Sequence, residues 1–134
     1  TEDAKAYICT CINIGDENQL CRAIDVDGEA VGSIGVFLQN DVYCRNAELA
    51  YWLGEPFWGN GIISKAVSDI CGEAFERFDI VRIFAEPYAH NIGSRKALEH
   101  AGFCLEGILK SSVWKNGKLY DSCMYALTRE STGL

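Results

Sequence analysis

The sequence predicts a single mixed α/β domain, and three patterns predict it. A strand, a glycine-bearing loop and a long amphipathic helix follow one another between Glu48 and Phe78. A second strand follows at Ile80–Glu86, and strand–helix–strand order makes 48–53 and 80–86 parallel neighbours through a right-handed crossover. Two turn dipeptides, Asp27-Gly28 and Asn116-Gly117, each separate β-rich runs and mark hairpins on either side of that unit.

Taken in order, residues Thr1–Ile14 open with a stretch that reads as the end of a helix. Leu20–Val26 and Ala30–Gln39 form the first hairpin, and Gly32 and Gly35 inside its second strand indicate a bulge or a close backbone approach. A loop near Arg45-Asn46 leads to Ala47–Leu53. There Leu49, Tyr51 and Leu53 alternate with Glu48, Ala50 and Trp52, the pattern of a half-buried strand. Gly54-Glu55-Pro56 ends it, and Gly59 and Gly61 bracket a tight turn. The helix, from Gly61 to Phe78, carries Ile63, Ala66, Val67, Ile70, Cys71, Ala74, Phe75 and Phe78 on one stripe. In the next strand Val81, Ile83 and Ala85 oppose Arg82, Phe84 and Glu86, and Pro87 stops it. Asn91 is a good N-cap for a short helix through His100, with Ser94, Ala97, Leu98 and Ala101 on one face. Gly102 and Phe103 then fit the C′ and C″ positions. Phe103–Val113 and Leu119–Leu127 make the second hairpin.

Composition suits a domain of this kind: 134 residues, 49% hydrophobic and 23% charged. No apolar run approaches membrane-spanning length, and the opening residues show no signal-peptide pattern. The seven cysteines contain no C-x-x-C pair. Cys71 lies on the helix stripe, and Cys104 and Cys123 lie in apolar strand patterns, so buried reduced thiols and a reducing cytoplasm are expected. Zinc is not expected, since His90 and His100 lack suitably spaced thiols. A net charge of −7 argues against non-specific nucleic-acid binding. Seven acids against two bases fall in the first thirty residues, which leaves a balance of −2 for the remainder. The part that holds the glycine loop therefore need not repel a polyanion. The acidic surplus is a solvated surface or a means of steering a cationic amine.

A glycine loop at a helix start turns free N–H groups and the positive end of the helix dipole onto an anion, and phosphate is the natural ligand. A dinucleotide fingerprint needs a third glycine where Ser64 stands, and a P-loop needs Gly-Lys-Ser/Thr where Gly61 is followed by Ile62. A bare G-x-G is weak evidence by itself, and its neighbours decide the reading.

Tyr51-Trp-Leu-Gly-Glu-Pro-Phe-Trp-Gly-Asn-Gly61 resembles the acetyl-CoA loop of the GNAT superfamily of N-acetyltransferases. It is most similar to the branch that includes the ribosomal-protein N-terminal acetyltransferases RimJ and RimL. Asn91-Ile-Gly-Ser94, Leu98-Glu-His-Ala-Gly-Phe103, Asn116-Gly-Lys-Leu-Tyr-Asp121 and Tyr125-Ala-Leu127 extend the match, in order, over roughly 32–127. One departure is Pro56, where the superfamily usually has Arg or Gln. The resemblance implies a GNAT fold: a mixed central sheet with a V-shaped splay between two parallel strands. It also implies that 1–134 is one GNAT domain whose N-terminal strand and helical region is missing or shortened; Thr1 is not an initiator Met, which points to truncation.

By the same resemblance, acetyl-CoA lies where 48–53 and 80–86 part. Its pantetheine arm pairs with backbone near Trp52, Leu53 and Gly54, and its pyrophosphate sits on the amides of Phe57, Trp58, Gly59, Asn60, Gly61 and Ile62. Ser64 and Lys65, in the first helical turn, add a hydroxyl and a positive charge, although Lys65 is as readily just solvated. Asn91 is at the family position that hydrogen-bonds the pantetheine, a role compatible with N-capping. Acetyl transfer to an amine requires a held thioester, a neutral amine, a stabilised oxyanion and a protonated or stabilised leaving thiolate. The superfamily's usual tyrosine acid is replaced by Leu98, which cannot donate a proton; Ser94 matches the branch's substitute, and its alternative role is a backbone hydrogen bond. Glu48, on the strand that leads to the loop, is the candidate general base, against the plainer reading of a solvated edge-strand glutamate. Tyr88, Tyr120 and Asp121 are secondary candidates for the substrate rim, Asp121 equally well explained by a structural hydrogen bond. Trp52 and Trp58 are expected to act mainly as packing groups.

The function these features imply is direct transfer of an acetyl group from acetyl-CoA to a primary amine in a ternary complex, without a metal. The acceptor is a ribosomal or other protein N-terminus or a small amine, with no nucleic-acid or membrane partner and a homodimer left open. A non-catalytic acyl-CoA-binding or regulatory domain is the rival reading, mildly supported by Leu98. A nucleotide-binding module is disfavoured by the missing glycine and lysine.

Overall fold

The computed structural model describes residues 7–11 and 19–132, of which 7–11 and 131–132 are described as backbone only. The strands are β1 (Tyr7–Cys11), β2 (Gln19–Val26), β3 (Glu29–Leu38), β4 (Asn46–Leu53), β5 (Arg82–Ala85), β6 (Cys104–Lys115) and β7 (Lys118–Thr128). The helices are α1 (Ile62–Arg77), α2 (Ile92–His100) and α3 (Arg129–Thr132). Among the described residues one sheet runs in the order β1-β2-β3-β4-β5-β7-β6. It is antiparallel except at β4–β5, where the α1 crossover makes the pair parallel as expected.

Both hairpins form at the expected dipeptides. Asp27 and Gly28 have φ of 52° and 85°, and Asn116 and Gly117 have 52° and 75°. Two successive positive values are what a two-residue type I′ turn requires, and they match the twist of the flanking strands. At Gly32 the close approach is real: a Cβ there would stand 2.2 Å from the Trp52 carbonyl oxygen. The β2–β3 register shifts between Ile24 and Asp25, directly beside it.

The buried stripe of α1 is Ile62, Ala66, Val67, Ile70, Cys71, Ala74 and Phe75. It lies in one core with Leu20, Ile24, Ile34, Val36, Ala47, Leu49, Ile83 and Tyr125 from the sheet. Full burial stabilises each large apolar side chain by about 1.5–3 kcal/mol. The carbonyl end of α1 is closed by Arg129, whose Nη2 donates to Phe75 O at 2.7 Å and Ile80 O at 3.0 Å. A cation at that end also opposes the negative pole of the helix dipole.

Three expectations are corrected. Tyr7 and Ile8 belong to a strand paired antiparallel with Asp25 and Ile24, not to a helix end; an aromatic and β-branched run gains more from the edge of β2 than from a helical turn. The helix end expected over 1–6 lies outside the described residues. The strand read at 80–86 is only Arg82–Ala85: the regular pairing with β4 and β7 starts at Arg82, with Val81 joined ahead of it by its N–H bond to Arg45 O at 2.9 Å, and stops at Ala85 ahead of Pro87. Cys104 is exposed because β6 is the edge strand and is solvated on both faces, and Cys44 is exposed in the connection between β3 and β4. Cys71 and Cys123 are buried as expected; burial pushes the Cys71 thiol up to about 12, which keeps it protonated and inert. No described helix is long and apolar enough to cross a membrane.

Candidate active site

The sheet forks at its centre. The β4–β5 pairing runs through Asn46↔Arg82, Ala47↔Ile83 and Glu48↔Phe84 and goes no further. On its other side β4 stays paired with β3 as far as Leu53↔Gly32, while β5 stays paired with β7 through Ala85↔Tyr125. Each arm is thus held by its outer neighbour as the two diverge, and β4 beyond Glu48 presents an unpaired edge. Gly54 N–H bonds to Val31 O at 2.9 Å and Gln39 N–H to Asn46 O at 3.0 Å, which fixes the parity of the ladder. The even residues of β4, Trp52 included, bond to β3, so the N–H and C=O groups of Leu49, Tyr51 and Leu53 face the fork. Of the backbone named for the pantetheine arm, Leu53 therefore faces the opening; Trp52 and Gly54 are turned to β3.

One arm leads into the glycine loop. A short 3-10 turn, Glu55–Phe57, uses the Phe57 and Trp58 amides on Gly54 O and Glu55 O, each at 3.0 Å. Gly59 and Gly61 then turn the chain at φ of 80° and 76°, a region open to glycine at little cost. The N-cap of α1 is Gly61, without a side-chain cap. Lys65 N–H, 3.2 Å from Gly61 O, makes the first bond back into the helix. The N–H groups of Ile62, Ile63 and Ser64 precede it and lack intrahelical acceptors. A Cβ at Gly59 or Gly61 would meet nothing within 4 Å, so the loop is uncrowded at both glycines. Donor groups and dipole together fit a phosphate group. Asn60 is exposed, its Nδ2 3.5 Å from Phe57 O. Ser64 Oγ donates to Ala97 O at 3.2 Å and ties α1 to α2, and Lys65 pairs with Asp69 at 3.7 Å.

Trp52 and Trp58 are not packing groups: they are 63% and 62% exposed. Trp52 lies on the sheet face away from α1, and the Trp58 indole N–H donates to Leu53 O at 2.7 Å, bracing the loop against the end of β4.

Glu48 stands at the vertex of the fork. Its register partners are Phe37 on β3 and Phe84 on β5, which puts the carboxylate between two phenylalanines on the face opposite the α1 core. Burial raises its pKa above the ordinary 4.5, and the nearby Glu86 raises it further. Glu48 is half-buried, unlike a freely solvated edge glutamate.

The other arm carries α2. Asn91 is exposed, and its Oδ1 accepts the Ser94 N–H at 3.0 Å, the N-cap expected. Ser94 Oγ is free of the backbone and is hydrogen-bonded to the Tyr51 hydroxyl, which comes from the opposite arm. Leu98 is fully buried in the core, so a tyrosine at that position has no counterpart here. Gly102, at φ 100°, closes the helix, with Phe103 N–H on Leu98 O at 3.0 Å.

Of the rim candidates, Tyr88 and Tyr120 form an aromatic group with His90, the rings 5.3–5.6 Å apart, and Lys115 Nζ lies 5.5 Å from the Tyr88 ring centre. Asp121 has the structural role: Oδ1 accepts Ser111 N–H at 2.8 Å, pinning a bulge where Ser111 adopts φ 53°. That bond holds the Asp121 carboxyl below its usual range, with Lys110 adding to the effect. The sequence reading missed Tyr51 and Glu86 as site residues. Glu86 shares the parity of Phe84 and was within reach of the alternation; Tyr51 read as a core position, and its hydroxyl partner lies 43 residues away. No group of three His, Cys, Asp or Glu among the described residues is placed to hold a metal ion.

The site is thus a forked parallel pair with a glycine loop on one arm and a capped helix on the other. Residues 1–104 match the acetyltransferase (GNAT) domain family, and the chain belongs to that family. It is 30% identical over 101 residues to the uncharacterized N-acetyltransferase YoaA of Bacillus subtilis, covering 75% of this chain and 56% of that protein. It is 30% identical over 100 residues to the ribosomal-protein-serine acetyltransferase of Escherichia coli, covering 75% and 55%. The structure of Mycobacterium smegmatis RimJ in complex with CoA-disulfide superposes with a TM-score of 0.78 at 30% identity, covering 87% and 56%. The chain thus spans little more than half the length of these relatives.

Proposed function

We propose that the protein transfers the acetyl group of acetyl-CoA directly to a primary amine. The observation that carries this reading is the fork itself: pairing stops at Glu48↔Phe84, and the space beyond it is flanked by the glycine loop and by Asn91–Ser94. The CoA-disulfide held by the RimJ structure supports the same ligand. Acetyl-CoA supplies the activated thioester. Backbone of Leu53 pairs with the pantetheine arm, the amides of Gly59 to Ser64 take the pyrophosphate, and Asn91 adds a contact from the opposite arm. Glu48 accepts a proton from the incoming ammonium, directly or through water, and its raised pKa brings its basicity closer to the working pH. Ser94 donates its hydroxyl proton toward the departing sulfur.

The acceptor we favour is a protein N-terminal amine, since a structure 26% identical to this chain is that of RimL, a ribosomal L7/L12 alpha-N-protein acetyltransferase; a small amine is the other arm of the test. The five described cysteine side chains are free thiols, which supports a cytoplasmic setting. The test is release of free thiol from acetyl-CoA against a panel of N-terminal peptides and small amines. Amine-dependent thiol release with an acetylated product is expected. Tight binding of acetyl-CoA with no turnover on any amine would favour a regulatory acyl-CoA-binding domain instead.

A further inference from the structure

Ser94 has one hydroxyl proton, and the reading above needs that proton pointed at sulfur. Its side chain already has a protein partner, the hydroxyl of Tyr51. If Ser94 donates to Tyr51, nothing is left for the leaving group. The chemistry of the pair decides the direction: a phenol is a stronger acid than an alcohol, and an alcohol oxygen is the better acceptor. The Ser94 N–H is separately bonded to Asn91 Oδ1 at 3.0 Å, so the position of the serine on α2 is fixed without its hydroxyl.

We propose that Tyr51 is a positioning residue for the transfer, donating its phenolic proton to Ser94 Oγ so that the Ser94 proton is directed into the fork. This rests on the assignment of Ser94 as the proton donor. The geometry suits the task. Tyr51 belongs to β4 and Ser94 to α2, so the bond crosses the fork between the arm that bears the glycine loop and the arm that bears Asn91. Tyr51 is half-buried and packs against the core from β4. Burial raises the Tyr51 pKa, with the Ser94 bond opposing, so the phenol stays a donor through the neutral range. Once ionised it becomes an acceptor, takes the Ser94 proton into its own hydrogen bond and leaves the sulfur without a donor.

The test compares Tyr51→Phe, Ser94→Ala and the double variant, with Tm measured on each. Tyr51→Phe keeps the ring and is expected to lower kcat by roughly tenfold or more while KM for acetyl-CoA holds. Because both residues act through one proton, the double variant should be no slower than Ser94→Ala. A second readout replaces Tyr51 with difluorotyrosine, a more acidic phenol; kcat should fall on the alkaline side at a lower pH than in the parent enzyme. A merely structural clamp would move Tm and leave that limb in place. Wild-type kcat in Tyr51→Phe beside an impaired Ser94→Ala overturns the proposal alone. Wild-type kcat in Ser94→Ala overturns the donor assignment and this proposal with it.

Discussion

A carboxylate set between two phenylalanines on a sheet holds its proton more firmly than one in water, and Glu48 is placed in this way between Phe37 and Phe84. Its raised pKa has two consequences of known sign. The acid limb of kcat/KM should lie above the ordinary glutamate value of 4.5, and Glu48→Gln should lose that limb along with most of the rate, an effect on the order of a hundredfold or more for a lost general base. For stability, a carboxyl whose folded pKa is raised binds more protons folded than unfolded. Its contribution therefore weakens as pH rises from the ordinary value through the raised one. In Glu48→Gln that decline should be absent from a series of melts across pH; an unchanged decline would place its origin elsewhere. At this scale the sequence was informative where backbone chemistry decides. The Asn91 cap and the candidacy of Glu48 follow from residue type and place in the chain. Tyr51 did not emerge, because strand alternation put it on the core side and only tertiary structure brings Ser94 to its hydroxyl. Trp52 and Trp58 were misread because bulk and hydrophobicity suggest burial, whereas both stand exposed around the end of β4.

The glycine loop shows how one residue type serves two ends. Gly61→Ala forces a side chain into left-handed backbone, which costs about 1–2 kcal/mol. Nothing within 4 Å obstructs the new methyl group, so the fold should survive. Gly61 is the N-cap from which the α1 amides are presented, so the strained turn should weaken binding instead, and the Kd for acetyl-CoA should rise about tenfold, roughly 1.4 kcal/mol. Gly32→Ala is the opposite case, since its Cβ would meet the Trp52 carbonyl at 2.2 Å and part β3 from β4. Calorimetry and melts on the two variants should therefore separate: weak binding in a folded protein for Gly61→Ala, loss of folding for Gly32→Ala. Equal loss of stability in both would contradict the division. Element order from β2 onward, both hairpins and both principal helices were legible because period and turn chemistry are local; β1 was not. Neither was the extent of β5, since Ile80 and Val81 look like strand in the sequence but precede the regular ladder, which begins at Arg82.

For the molecule as a whole, the ends of the pairing matter more than its length. The antiparallel neighbours β3 and β7 hold β4 and β5 apart beyond Glu48, and the parallel crossover through α1 brings a helix N-terminus without a side-chain cap to the end of β4. The cleft is thus a product of topology: strand–helix–strand order predicted the parallel pair and the GNAT resemblance implied the splay within it, while its floor and rim required the structure. The central claim is that this gap receives an acyl-CoA. The most direct measurement is a thermal melt with acetyl-CoA, CoA, ATP or no ligand. At about 100 times its Kd a ligand that binds the folded state adds roughly 2.7 kcal/mol. For a domain of this size that is a rise in Tm on the order of 10 °C. The account predicts that rise with acetyl-CoA and CoA and none with ATP; an absent rise, or an equal one with ATP, would contradict it.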